Sequence, residues 1–373
     1  MSSTGDRQSL DAELLSWMQE PGWKLDESRF EALALDLFAY QFDHCSPYRR
    51  FAQGRGLTPE TVEHWPEIPA VPAGAFKELA LCSFPQRQTV KTFRTSGTSG
   101  QKRGELHLDT LALYEASLMA SLDTLFIPDR AGSKTTLRIL APSASEVPDS
   151  SLSHMFQVLL AERGAPASAF DVADGELCME SLIRSLEQAQ SSGMPVAICG
   201  TAFSFVHLIE ALEARGLALR CPHGSRIMET GGFKGRSREM SPAQLYSALT
   251  RHLGVPPERI VNQYGMTELG SQFYDSVLTD PAGPRRKLGP PWVRVRLIDP
   301  ETGRETPSGT PGMVVIHDLA NTGSVAAIQT ADLGRAVLDE AGAPIGFEIL
   351  GRHPDAEARG CSIAADEMLS RSA

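Results

Sequence analysis

The apolar positions of this chain change texture twice between its first and last residues. Residues 28–43 place Phe30, Leu33, Leu37 and Phe38 at helical spacing, which predicts an amphipathic helix with Ser28 as its N-cap. Residues 65–72 carry three prolines and predict an extended connector. From residue 89 the pattern alternates. Strands are predicted at 89–94, 136–141, 167–171, 195–199, 226–229 and 259–263, and helices at 109–126, 150–163, 176–190, 203–215 and 241–252. Such alternation implies an α/β fold with mixed or parallel sheets covered by helices, and ligands at the carboxyl ends of the strands. Past residue 285 the runs 292–299 and 313–318 alternate in the strand manner, joined by the turn-rich stretch 300–312. Four parts are therefore expected: a helical part at 1–64, an α/β core at 65–285, a small β-rich lobe at 286–350 and a short tail at 351–373.

Composition narrows the function classes. Acidic residues outnumber basic ones by 46 to 35, a net charge of -11, which argues against a dedicated nucleic-acid binder. No apolar run approaches the ~20 residues a membrane span needs. Residues 1–7 hold no apolar signal core, so a cytoplasmic location is the default expectation. Six scattered cysteines without a Cys-x-x-Cys pair predict neither a disulfide scaffold nor a zinc site.

Two segments suggest chemistry. Thr95, Ser96, Gly97, Thr98, Ser99 and Gly100 pack hydroxyls and glycines into one loop, with Lys102 and Arg103 directly after it. Hydroxyls and open backbone N–H groups can surround phosphate oxygens, although composition alone fits a surface loop at least as well. The loop is no Walker P-loop, and 105–108 reads as a second strand, so a strand–loop–strand clamp is expected. Downstream, Asn262-Gln263-Tyr264-Gly265-Met266-Thr267-Glu268 leaves a strand where α/β sheets bind ligands. There Tyr264 could stack on a base, Thr267 donate to a phosphate and Glu268 hold Mg²⁺.

The order of these segments resembles the adenylate-forming superfamily of acyl-CoA synthetases, adenylation domains and luciferases. Three further passages fit: Gly231-Gly232-Phe233, Thr330-Ala331-Asp332-Leu333-Gly334-Arg335 and Gly351-Arg352. Within it, Tyr48-Arg49-Arg50, Ile68–Pro72 before Phe76-Lys77, Glu229–Gly235 and Arg359-Gly360-Cys361-Ser362 are most similar to the acyl-protein synthetases of bacterial luminescence-type fatty-acid reductase systems. Phenylacetate-CoA ligases come next.

The resemblance implies ATP and Mg²⁺ as cofactors and a carboxylic, fatty acid substrate. It places the triphosphate in the Thr95–Gly100 loop, Mg²⁺ on Glu268, adenine near Gly231–Phe233 and Tyr264–Gly265, and ribose on Asp332. It implies that Cys361 takes the acyl group from AMP and passes it to a partner acyl reductase. The usual C-terminal domain is expected to be truncated here, so its lysine needs a substitute, for which Arg103, Lys234 and Arg352 are the candidates. The alternatives are an acid–CoA ligase, acyl loading of a carrier protein, and a nucleotide-binding subunit with reduced catalysis.

Overall fold

The structure, a computed structural model, describes residues 6–96, 102–130, 132–231, 240–353 and Met368. The chain divides into two units, one made of Met1–Ala120, Gly265–Gln272 and Leu288–Ala373, the other of Ser121–Tyr264 and Phe273–Lys287.

The first unit begins with helices Arg7–Gln19, Glu27–His44 and Ser46–Gln53. Asp26, not Ser28, caps the second, because its carboxylate accepts the Arg29 N–H at 2.9 Å and the helix starts one residue earlier than expected. Its buried stripe is the predicted one, Phe30, Leu33, Leu37 and Phe38, with the amide of Gln41 added. Trp292 packs edge-on against Trp17 and Trp23. The proline-rich connector is more ordered than expected. It forms a 3₁₀ turn at Trp65–Glu67 and a strand, Val71–Pro72, that pairs in parallel with Ile328 and Gln329.

That pairing adds an edge to an antiparallel sheet ordered Val293–Ile298, Gly312–Asp318, Ala327–Leu338 and Pro344–Arg352. Strands Lys91–Arg94 and Glu105–Leu108 pair antiparallel with Arg94 opposite Glu105, so the expected strand–loop–strand arrangement is present. Near the C-terminus Met368 is fully buried, and its carbonyl accepts a hydrogen bond from Arg50 Nε.

The second unit is the predicted α/β sheet. Ala169–Phe170, Thr136–Leu140, Val196–Thr201, Arg226–Thr230 and Ile260–Tyr264 lie side by side in parallel, and Phe273–Asp275 pairs antiparallel with Ile260–Tyr264. Leu182, Leu186, Phe205, Ile209, Leu245 and Leu249 of three helices pack with Ile198, Ile227 and Ile260 of the strands into one core. Burial of such apolar area is the main stabilising term. Predicted boundaries shift where local chemistry intervenes. The helix expected at 109–126 runs Ala112–Ser121 and then widens into a π turn at Leu122–Phe126. Cys178 precedes the helix Met179–Ser192 rather than lying inside it.

Candidate active site

The base of the hydroxyl-rich loop is pinned by reciprocal bonds. Thr95 N–H donates to the Gly104 carbonyl at 2.9 Å, and Gly104 N–H donates to Thr95 Oγ1 at 2.9 Å. Arg103 Nε donates to the Thr95 carbonyl at 2.5 Å, while another guanidinium nitrogen reaches the Arg94 carbonyl at 3.3 Å. Thr95 and Arg103 thus fix the geometry from which the loop springs. Ser96 follows directly, whereas Gly97, Thr98, Ser99 and Gly100 lie outside the described residues.

The second motif meets this base. Gly265 and Thr267 lead to Glu268, a turn residue that is only 5 % exposed. A Cβ placed on Gly104 would lie 3.1 Å from Thr95 Cγ2 and 3.4 Å from Glu268 Oε1. Glycine at 104 therefore lets the loop base and the carboxylate approach each other this closely. Burial pushes the Glu268 carboxyl up to about 7. The charges of Lys77 and Arg352 oppose that rise, and Asp332 adds to it.

Asp332 and Arg352 are direct partners across the antiparallel pair Ala327–Leu338 and Pro344–Arg352, with Arg352 Nε 3.9 Å from Asp332 Oδ1. Arg352 is largely exposed and Asp332 half-buried. Beside the Lys91–Arg94 and Glu105–Leu108 pair opens a cleft of about 410 Å³, lined by Phe76, Lys77, Arg94, Lys102, Arg103 and His107 among others. Exposed pairs hold two of these cations, Lys102 with Glu78 and Arg94 with Glu105, each at 2.7 Å. Lys77 ends the 3₁₀ turn Ala73–Lys77. Sequence reasoning quoted Phe76-Lys77 without giving it a role. Its signal was a lysine right after a proline-rich passage, and its proximity to Glu268 is a product of the tertiary fold.

Other candidates belong to the second unit. Gly231 follows the strand Arg226–Thr230 with φ +77°, and a Cβ there would meet nothing within 4 Å. Conformation, not crowding, is what favours glycine at this position. Tyr264 ends its strand opposite Phe273, with ring centroids 6.0 Å apart. Gly232, Phe233 and Lys234 lie outside the described residues, as does Cys361. A buried polar network that sequence reasoning missed stands at the same strand ends. Glu229 accepts from Tyr246 Oη at 2.8 Å and from Asn262 Nδ2 at 2.6 Å, and Lys287 donates to Asp275 at 2.8 Å. Burial raises the Glu229 carboxyl and lowers the Lys287 ammonium.

Four of the described cysteines are held as thiols. Burial pushes Cys45 to about 11, Cys82 and Cys221 to about 12, and Cys199 higher still. A nucleophile needs the thiolate, so these four are poor acyl acceptors. Among the described residues no group of three or more His, Cys, Asp or Glu could hold a metal by itself, and no helix is long and apolar enough to cross a membrane.

The acyl-protein synthetase LuxE family matches residues 1–370. The chain belongs to this family. As an acyl-protein synthetase it is an AMP-forming ligase that uses ATP to activate a carboxylic acid. It is similar to the long-chain-fatty-acid–luciferin-component ligase of Vibrio harveyi, 22 % identical over 354 residues that cover 93 % of this chain and 90 % of the relative. The enzyme of the same name from Aliivibrio fischeri is 20 % identical over 96 % of this chain and 94 % of its own. Among solved structures, 2-hydroxyisobutyryl-CoA ligase in its postadenylation state aligns with a TM-score of 0.63 at 16 % identity, covering 89 % of this chain and 70 % of the other. An open conformation of that enzyme gives 0.60 over 86 % and 74 %. The acyl-protein synthetase therefore shares the adenylate-forming fold. A magnesium ion fits its residues: Mg²⁺ commonly takes one or two carboxylates plus substrate phosphates, and Glu268 offers one desolvated carboxylate beside the base of the hydroxyl-rich loop.

Proposed function

We propose that this acyl-protein synthetase activates a long-chain fatty acid as its acyl-adenylate, transfers the acyl group to Cys361 and passes it to a partner acyl reductase. The close approach of the Thr95–Gly104 loop base to Glu268 carries the reading. Loop 95–100 holds the phosphates, with Lys77, Arg103 and Arg352 adding positive charge. Glu268 holds Mg²⁺, which neutralises phosphate charge when bound. Asp332 holds the ribose. Gly231–Phe233 and Tyr264 keep the adenine role implied by the resemblance, and Lys234 remains a candidate cation.

The acid's carboxylate oxygen attacks the α-phosphorus, the bond to the bridging oxygen breaks, and pyrophosphate departs with the electron pair. The main demand is charge stabilisation on the phosphoryl oxygens, so a general base is not required. A thiolate then attacks the acyl carbon, the carbon–oxygen bond of the mixed anhydride breaks, and AMP leaves. The burial that holds Cys45, Cys82, Cys199 and Cys221 as thiols supports an acceptor elsewhere.

The test is radiolabelled fatty acid with ATP and Mg²⁺ and no added thiol. Covalent label on the protein that is lost in Cys361→Ser and kept in Cys178→Ser is the expected result. Label that forms solely on added CoA would reject self-acylation in favour of an acid–CoA ligase.

A further inference from the structure

Glu268 sits on a short segment that is braced from one side. After the strand Gly312–Asp318 the chain turns through Leu319, Ala320 and Asn321, and the turn's two polar side chains both bond to the segment bearing Glu268. Asn321 Nδ2 donates to the Glu268 carbonyl at 2.8 Å. Asp318 Oδ2 accepts the Ser271 N–H at 2.7 Å, and Oδ1 accepts the Ser271 hydroxyl at 2.7 Å. Asp318 and Asn321 are 0 % and 1 % exposed, so water does not compete for these bonds. The two stretches are in such close contact that a Cβ on Gly270 would fall 2.9 Å from Asn321 Oδ1 and 3.0 Å from Ala320 Cβ.

The turn is itself fixed. Buried Gln41, on the helix Glu27–His44, donates to the Asn321 carbonyl at 2.9 Å and accepts from the Ala326 N–H at 3.0 Å. Arg7 Nε donates to Thr322 Oγ1 at 3.3 Å. A continuous set of bonds therefore runs from the N-terminal helices through the turn to the Glu268 peptide.

We propose that Asn321 and Asp318 are positioning residues for acid activation, fixing the Glu268 peptide so that its carboxylate stays beside Gly104 at the base of the hydroxyl-rich loop. A displacement of about 1 Å at a phosphate site can cost on the order of a hundredfold in rate. The inference rests on the reading of Glu268 as the metal-holding carboxylate. An ordinary structural role would lower stability without caring whether residue 268 carries a charge. Positioning depends on that charge.

Calorimetric titration with Mg·ATP of the parent, Asn321→Ala, Glu268→Gln and the double variant separates the two. The expected result is roughly tenfold weaker binding from Asn321→Ala in the parent and less than about twofold in the Glu268→Gln background. Equal losses in both backgrounds would overturn the positioning role alone. A Glu268→Gln protein that binds Mg·ATP like the parent would overturn the role of Glu268 and the inference with it. Should Asn321→Ala fail to fold, Ser271→Ala, which removes a hydroxyl from Asp318, carries the same comparison with the same criteria.

Discussion

Replacing Glu268 by Gln tests the electrostatics of the site without any turnover. The carboxyl ordinarily titrates at 4.5 and stands at about 7 in the folded, nucleotide-free protein, raised by burial and by Asp332 and lowered by Lys77 and Arg352. A carboxyl raised on folding binds its proton more tightly in the native state. Its favourable contribution is complete below pH 4.5 and is lost as pH rises through 7. A shift of this size corresponds to about 3 kcal/mol between those limits. Equilibrium denaturation of both proteins in EDTA at pH 5 and pH 8 should thus show the Gln variant gaining about 3 kcal/mol on the parent at the higher pH. Most other carboxylates titrate alike in the two proteins and cancel in the difference. The same proton competes with metal, so Mg·ATP affinity of the parent should weaken by up to about tenfold per pH unit below 7 and that of the variant should not. A stability difference that stays flat between pH 5 and pH 8 would refute the burial argument.

Lys77→Met should lower acid-dependent pyrophosphate exchange by about a hundredfold, the usual scale for removing one preorganised charge from a developing anion. It should also move the pH dependence of Mg·ATP binding upward, since Lys77 holds the Glu268 carboxyl down; an unchanged exchange rate would remove Lys77 from the site. Gly104→Val should crowd Thr95 and Glu268 and abolish Mg·ATP binding by calorimetry while the circular-dichroism spectrum stays that of the parent. Binding of parental strength in that variant would mean that the nucleotide's phosphates lie elsewhere.

The α/β unit was legible because its strands are buried apolar runs and its helices carry broad apolar stripes, and each pattern depends on local sequence alone. The long strands Ala327–Leu338 and Pro344–Arg352 were not. Fully buried positions are confined to the start of Ala327–Leu338 apart from Gly334, and Pro344–Arg352 buries little beyond Phe347, so neither shows clean alternation. Their pairing comes from partners distant in sequence. The two chemical segments were legible as motifs, but their meeting at Gly104 was not, since that depends on a turn more than 160 residues downstream of Gly104 closing over the hairpin base. Lys77 and Asn321 share the same obscurity. A lysine after a 3₁₀ turn and an asparagine in a tight turn are commonplace until long-range contacts give them neighbours.

The burial of Met368 sets a leash length. Cys361 is seven chain steps from Met368 and eight from His353, whose N–H donates to the Ala331 carbonyl. At no more than ~3.5 Å per residue, covalent geometry alone keeps the Cα of Cys361 within about 25 Å of that of Met368. Under the proposed transfer, a reductase that collects the acyl group from Cys361 has to bring its own catalytic pocket to within about that distance of Met368.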